Sequence, residues 1–189
     1  MPESDALAIA RARNGDSDAF QALVERHGRG IFRVAHRLTG NTQDAEDVVQ
    51  ETFLRAYRQL GRFEARSNFS TWLHRIAVNC SIDLIRSRPR RESAYDEEDL
   101  DAMVPDAPSA ASAPSPERLA LSAQVQDRVT AALGWLSPRE RAAFVLRHVE
   151  GRSIDEISGL LGLRSNATKH SIFRAVRKMR AALEPFLES

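Results

Sequence analysis

The chain has 189 residues, 42% of them hydrophobic, and its 27 Lys/Arg and 26 Asp/Glu leave a formal charge of +1, enough apolar material for one globular domain or two small ones. A single cysteine, Cys80, excludes an intramolecular disulfide or a cysteine-rich metal site and points to a reducing compartment. The opening MPESDALAIARARNGD lacks the basic start and apolar run of a signal peptide, and no stretch is apolar over transmembrane length, so a soluble, cytoplasmic protein without membrane insertion is expected.

The small net charge conceals a pattern. Residues 1–91 carry 15 Lys/Arg against 11 Asp/Glu, residues 92–116 none against 7, and residues 117–189 12 against 8, so net charges of +4, −7 and +4 follow one another. Two basic blocks flanking an acidic one suggest two nucleic-acid-facing modules with something different between them.

Residues 1–14 read as an N-terminal helical extension, with a short helical pattern from Asp5 to Asn14. From Ser17 to Leu38 an apolar stripe runs through Phe20, Leu23, Val24, Ile31, Phe32, Val34, Ala35 and Leu38, and Gly28 and Gly30 predict a bend or weak turn within it. Gly40-Asn41 ends the pattern. Asn41 or Thr42 can cap the next helix, whose first turn sets Asp44, Glu46 and Asp47 against the helix dipole. Its buried stripe is expected to be Ala45, Val48, Val49, Phe53, Ala56, Tyr57 and Leu60. The opposite face carries Asp47, Gln50, Glu51, Leu54, Arg55 and Arg58, where a leucine among charges is either a partner contact or an ordinary exposed side chain.

The stretch FEARSNFSTWLHRIAVNCSIDLIRSRPRR, Phe63 to Arg91, follows. At a period of 3.6, Trp72, Leu73, Ile76, Ala77, Cys80, Leu84 and Ile85 fall on one side of a helix, and Thr71, Arg75, Asn79, Ser81 and Arg86 largely elsewhere. The outer face is uncharged or basic apart from Asp83 and ends in Arg86, Arg88, Arg90 and Arg91; a small-polar loop, Arg66-Ser67-Asn68, leads into it at Phe69. Arginines hold phosphates, Asn, Ser and Thr can bond base edges, and Phe69 and Trp72 could stack on an exposed base. The alternative is a core helix with a solvated polar face. Cys80, on the apolar side, reads as a small core residue.

The run F-x-x-x-S-x-F-x-T-W-L-x-R-I-A-x-N, carried by Phe63, Ser67, Phe69, Thr71, Trp72, Leu73, Arg75, Ile76, Ala77 and Asn79, resembles the promoter minus-10 recognition region of extracytoplasmic-function sigma factors of bacterial RNA polymerase. The segment DAEDVVQETFLRAYRQLGRF is similar to the part of those proteins that docks on the clamp helices of the largest polymerase subunit. The resemblance implies a core-polymerase docking face of Asp44, Asp47, Gln50, Glu51, Leu54 and Arg55. It implies a minus-10 DNA site of Arg66, Ser67, Asn68, Phe69, Thr71, Trp72, Arg75, Asn79 and Arg86.

Residues 92–116 lack periodicity and are rich in Pro, Ala, Ser and acid, as in a flexible linker. Free, such a tether spans about 25 to 30 Å root-mean-square and, stretched, roughly 80 to 90 Å, enough to separate two DNA modules by two helical turns of about 35 Å each. It is either a solvated tether or, as the resemblance implies, a strand threading near the template channel.

The C-terminal block is well punctuated. Leu119 to Leu136 is an amphipathic helical pattern; Ser137-Pro138-Arg139-Glu140 and Ser153-Ile154-Asp155-Glu156 are capping boxes, with RAAFVLRHVEG between them and Gly151 as stop. After Ile157, Leu160 and Leu161, Gly162 turns the chain, Ser165 can cap, and a basic helix runs from Asn166 towards Leu183: a helix-turn-helix whose second helix should enter the major groove. Thr168, Ile172, Ala175 and Met179 face inward. Asn166, Lys169, His170, Phe173, Arg174 and Arg177 face outward, where they can take phosphates, base edges and thymine methyl groups.

This block resembles the minus-35-binding domain of the same sigma family, and also the LuxR-type helix-turn-helix. In place of the common sigma pattern G-T-V-K-S-R stand Asn166-Ala167-Thr168-Lys169-His170-Ser171, which buries a hydroxyl at Thr168 that should bond a helical carbonyl. The minus-35 DNA residues implied are Ser165, Asn166, Lys169, His170, Phe173, Arg174 and Arg177.

The fold expected is all-α: a sigma region 2-like helical bundle over 15–91 and a region 4-like helix-turn-helix domain over 117–187, joined by the acidic linker 92–116. Function should be binding without catalysis, since no nucleophile–base pair, phosphate loop or metal cluster stands in the sequence, and no cofactor or metal is expected. The partners implied are core RNA polymerase, promoter DNA and an anti-sigma factor. The rival is a stand-alone LuxR-type regulator.

Overall fold

The computed structural model describes residues 4–64, 68–87 and 128–184. Among them the regular structure is entirely helical. Ser4 caps α1 (Asp5–Arg13), and Asp16 caps α2 (Ser17–Thr39) by accepting from the amides of Asp18 and Ala19 at 3.1 Å each. α2 is one helix through Gly28 and Gly30, so the bend expected there gave no break; a residue's propensity cost near 1 kcal/mol is small beside the burial of the helix's apolar face. It ends at Gly40, whose φ of +86° only glycine adopts easily. Asn41, of the two candidates, caps α3 (Thr42–Gln59). A 3-10 turn at Leu60–Arg62 follows, then α4 (Phe69–Ser87).

Helical turns at 128–133, here α5, precede α6 (Pro138–Phe144), whose last turns widen into a π-helical stretch at Val145–Val149. Then come α7 (Ile154–Leu161) and α8 (Ser165–Leu183). Both capping boxes form in full, serine hydroxyl to the third amide and glutamate back to the serine amide. The linker 92–116 and the expected helical stretch 119–127 lie outside the described residues.

Helices α1 to α4 enclose a core that includes Leu23, Ile31, Phe53, Phe63, Phe69 and Leu73, with a smaller cluster of Ala35, Ala45, Val48 and Cys80 beside it. Tyr57, expected in the buried stripe, is 51% exposed, its ring edge-on to Phe20 at 5.0 Å. The widest departure from the expected layout is α4. Ser81 was expected outside, yet it is fully buried with its hydroxyl donating to the Ala77 carbonyl at 2.8 Å.

The cause is a second apolar stripe. Val78 and Ile82, one turn apart on α4, join Val34 and Leu38 of α2 in a single cluster with Leu133, Leu136, Ala142, Leu146, Ile157 and Met179. The N-terminal and C-terminal helices therefore share a core. The Arg37 guanidinium pairs with Glu150 across the same junction.

Candidate nucleic-acid and polymerase interfaces

On α8 the predicted phase is the observed one. Thr168, Ile172, Ala175 and Met179 are buried, while Asn166, Lys169, His170, Arg174 and Arg177 are exposed and Phe173 is half-buried. The outward row is basic and interleaved with groups able to bond base edges. Ser165 is exposed but does not cap: Arg164 holds the cap position without a side-chain bond, and Ser165 is the first helical residue. The Thr168 hydroxyl bonds the Arg164 carbonyl at 3.2 Å, as expected, and also meets the Ser158 hydroxyl of α7 at 2.8 Å. Gly162, at φ +64°, makes the turn between the two helices.

Glu140 anchors this helix. Third residue of its capping box and 4% exposed, it receives Lys178 Nζ at 3.0 Å and Arg174 Nε at 3.3 Å from α8. Burial pushes the Glu140 carboxyl up, but the Ser137 amide and Lys178 outweigh it and hold the group below its ordinary value of 4.5. The box was legible in sequence; the two cations that meet its glutamate from 34 and 38 residues away were not.

On α4, Thr71, Arg75, Asn79 and Arg86 are exposed and Trp72 is half-buried. Arg66 and Ser67 lie outside the described residues. Asn68 is exposed, its side-chain oxygen accepting from the Ser70 amide at 3.0 Å. Phe69 is not available to a base: it is 3% exposed, with Phe63, Trp72 and His27 against its ring at 5.5, 5.6 and 5.5 Å. Of the two aromatic candidates for stacking, Trp72 alone retains surface.

The α3 face is narrower than expected. Asp47, Gln50 and Leu54 are exposed, Leu54 at 42%. Glu51 and Arg55 are half-buried and paired at 2.6 Å, and Arg55 reaches across to Asp83 of α4 at 3.3 Å. Asp44 is turned in, 4% exposed: the capping Asn41 accepts from its amide at 2.8 Å and donates its own side-chain amide to the Asp44 carboxylate. Its place one turn into the helix makes it part of the cap. Cys80 is 3% exposed, and burial pushes its thiol above its ordinary value of 9.0, against the pull of Arg55.

The two candidate DNA surfaces are close together. Arg75 Nη2 stands 3.8 Å from the place a Cβ would take on Gly162, at the turn of the helix-turn-helix. Among the described residues no three His, Cys, Asp or Glu side chains converge as a metal site, and no helix is long and apolar enough to cross a membrane.

Two family models match the chain, Sigma-70 region 2 over residues 23–91 and Sigma-70, region 4 over residues 126–179. The RNA polymerase sigma-H factor of Pseudomonas aeruginosa is 34% identical over 98% of this chain and 96% of its own length. The chain belongs to the sigma-70 family. Within it, the chain is similar to extracytoplasmic-function (ECF) members: SigE of Mycolicibacterium smegmatis is 35% identical over 95% of this chain and 67% of that one. CnrH of Cupriavidus metallidurans is 33% identical over 96% and 95%. The structure of CnrH in complex with the cytosolic domain of CnrY superposes with a TM-score of 0.63, covering 97% of this sigma factor and 99% of CnrH at 29% identity. Relatives that span both helical groups in order leave the stand-alone LuxR-type reading without support.

Proposed function

We propose that this ECF sigma factor binds core RNA polymerase and directs promoter-specific initiation, with α8 on the minus-35 element and the start of α4 on the minus-10 strand. The observation that carries the reading is the end-to-end likeness to sigma factors in a chain whose α8 and α4 both turn base-reading side chains outward. Asn166, His170 and Phe173 would meet base edges; Lys169, Arg174 and Arg177 would take phosphates or guanine; and Ser165 would sit at the helix start beside them. Thr71, Arg75 and Asn79, with Asn68 and the half-buried Trp72, would receive an unstacked minus-10 base, so that recognition and strand opening become one event. Asp47, Gln50 and Leu54 would meet the polymerase. An anti-sigma factor that covers these faces is the further protein partner proposed. The chemistry throughout is binding.

The test is to mix the purified chain with sigma-free core polymerase, pass it over a sizing column, and assay the complex on a promoter library. Co-elution with sequence-selected transcripts is expected. Tight binding to DNA alone, with core polymerase ignored, would sink the proposal.

A further inference from the structure

Helix α1 is tied to both flanks of the segment that joins the 3-10 turn to α4. On the near flank, Arg13 Nε donates to the Leu60 carbonyl at 3.0 Å and its Nη2 to the Phe63 carbonyl. On the far flank the tie runs through α2. The Asp5 carboxylate meets the Arg26 guanidinium on one oxygen and His27 Nε2, at 2.9 Å, on the other. The His27 ring so held lies 5.5 Å from the Phe69 ring, at 71° to it.

Phe69 is the first residue of α4, and its ring also meets Phe63 at 77° and Trp72 at 35°. Three rings and an imidazole thus form one box, with Trp72 as its half-buried wall. Apolar contact alone would hold α1 in place, since Ala8, Ile9 and Ala12 already join the N-terminal core. An aliphatic side chain at position 27 would fill space against Phe69 but would not fix the angle of that ring. An imidazole bonded to a carboxylate restrains it, because the hydrogen bond holds the imidazole edge-on against the Phe69 ring.

We propose that His27, oriented by Asp5, is a positioning residue for capture of the unpaired minus-10 base. It sets the Phe69 ring, and with it the first turn of α4, from which Asn68, Thr71 and Trp72 meet the base. The inference rests on the minus-10 reading of α4 given above.

The test uses holoenzyme assembled from the full chain and core polymerase, and two single-stranded oligonucleotides, one with the selected minus-10 sequence and one with its captured base changed. His27→Gln keeps a donor for Asp5 and removes the ring; His27→Phe keeps a ring and removes the donor. His27→Gln should weaken binding of the matched strand about tenfold, the scale of one aromatic pair, with core binding and duplex minus-35 binding unchanged. His27→Phe should fall between it and the unaltered protein. In the free chain carrying Trp135→Phe, Trp72 is the sole tryptophan, and its emission should shift in His27→Gln.

Unchanged matched-strand affinity in His27→Gln overturns the proposal. So does a loss shared equally by core and duplex binding, which would make His27 a folding residue. His27→Phe equal to the unaltered protein removes the part given to Asp5. Thr71→Ala and Arg75→Ala, run alongside, separate the two levels: if neither alters discrimination between the strands, the minus-10 reading itself fails, and if they do while His27→Gln does not, only the positioning role fails.

Discussion

Ser158 and Thr168 share a hydrogen bond of 2.8 Å across the turn of the helix-turn-helix, and each also faces a carbonyl one turn back on its own helix, Ile154 at 2.7 Å and Arg164 at 3.2 Å. Two hydroxyl protons serve three contacts, so the chain of donors runs in one direction at a time. The pair fixes how α7 meets α8, and hence how the exposed basic face of α8 is presented.

Thr168→Val and Ser158→Ala should each lower stability by about 1 kcal/mol. The double variant should lose less than the sum, because the shared bond is removed only once. Urea unfolding of the four proteins measures the coupling, expected at about 1 kcal/mol. Strict additivity would mean that the two hydroxyls merely fill space.

Glu140 predicts an acid sensitivity with a definite sign. Its carboxyl is held below 4.5 in the fold, with burial opposed and outweighed by the Ser137 amide and Lys178. A depressed carboxyl stabilises in full above its unfolded value and loses that contribution as pH falls through the folded value. Glu140→Gln should therefore cost about 2 kcal/mol near neutral pH, and the gap from the unaltered protein should close as pH falls below about 4.5. Thermal melts across that range measure it, and a gap that stays constant into acid would refute the assignment.

Much of this was legible in the chain itself because helices announce their caps and their phase. Ser137, Ser153, Gly40 and Gly162 punctuate as expected, and α8 turns the predicted residues outward, because one inner face packed on α6 and α7 leaves a single apolar stripe. α4 was misread for the converse reason. It is apolar on two sides, and a single-stripe reading assigned Ser81 to solvent without placing Val78 and Ile82. Asp44 and Phe69 were illegible for another reason: a resemblance maps types of residue onto a site, but a cap and a ring box decide where these two side chains point. His27 carries no periodic signal; its partners stand 22 and 42 residues away in sequence.

The contrast between Leu54 and Asp44 is open to direct test. Leu54 is exposed among charges, and Leu54→Asp adds a solvated carboxylate without touching the core, so melting should barely change while co-elution with core polymerase is lost. Asp44→Ala should do the reverse, removing a bond to the capping Asn41 at a cost of about 1 kcal/mol while polymerase binding persists. If Asp44→Ala abolishes co-elution at unchanged stability, the docking face extends to it after all.

The shared core sets a condition on promoter binding. Elements named minus-10 and minus-35 stand about 25 base pairs apart, roughly 85 Å of duplex at 3.4 Å per pair. Arg75 and Gly162 are in near contact, and α8, at 1.5 Å per residue, is only about 28 Å long, so if α4 takes the minus-10 strand and α8 the minus-35 element, as proposed, this arrangement cannot reach both at once. On that assignment the N- and C-terminal helices would part on the polymerase, exposing Val34, Leu38, Val78 and Ile82, each worth about 1.5 to 3 kcal/mol at most when buried. Polymerase binding has to offset that exposure, so a variant already open should bind core more tightly. Val78→Asp sets a carboxylate in the shared cluster, outside the core that α1 to α4 enclose among themselves. Its radius of gyration in solution scattering should rise, while helicity is kept and core affinity increases about tenfold, the return of a population lost to the closed form. An expanded Val78→Asp protein with unchanged core affinity would mean that the junction opens at no cost, and a compact one would mean that the cluster around Val78 does not hold the two helical groups together.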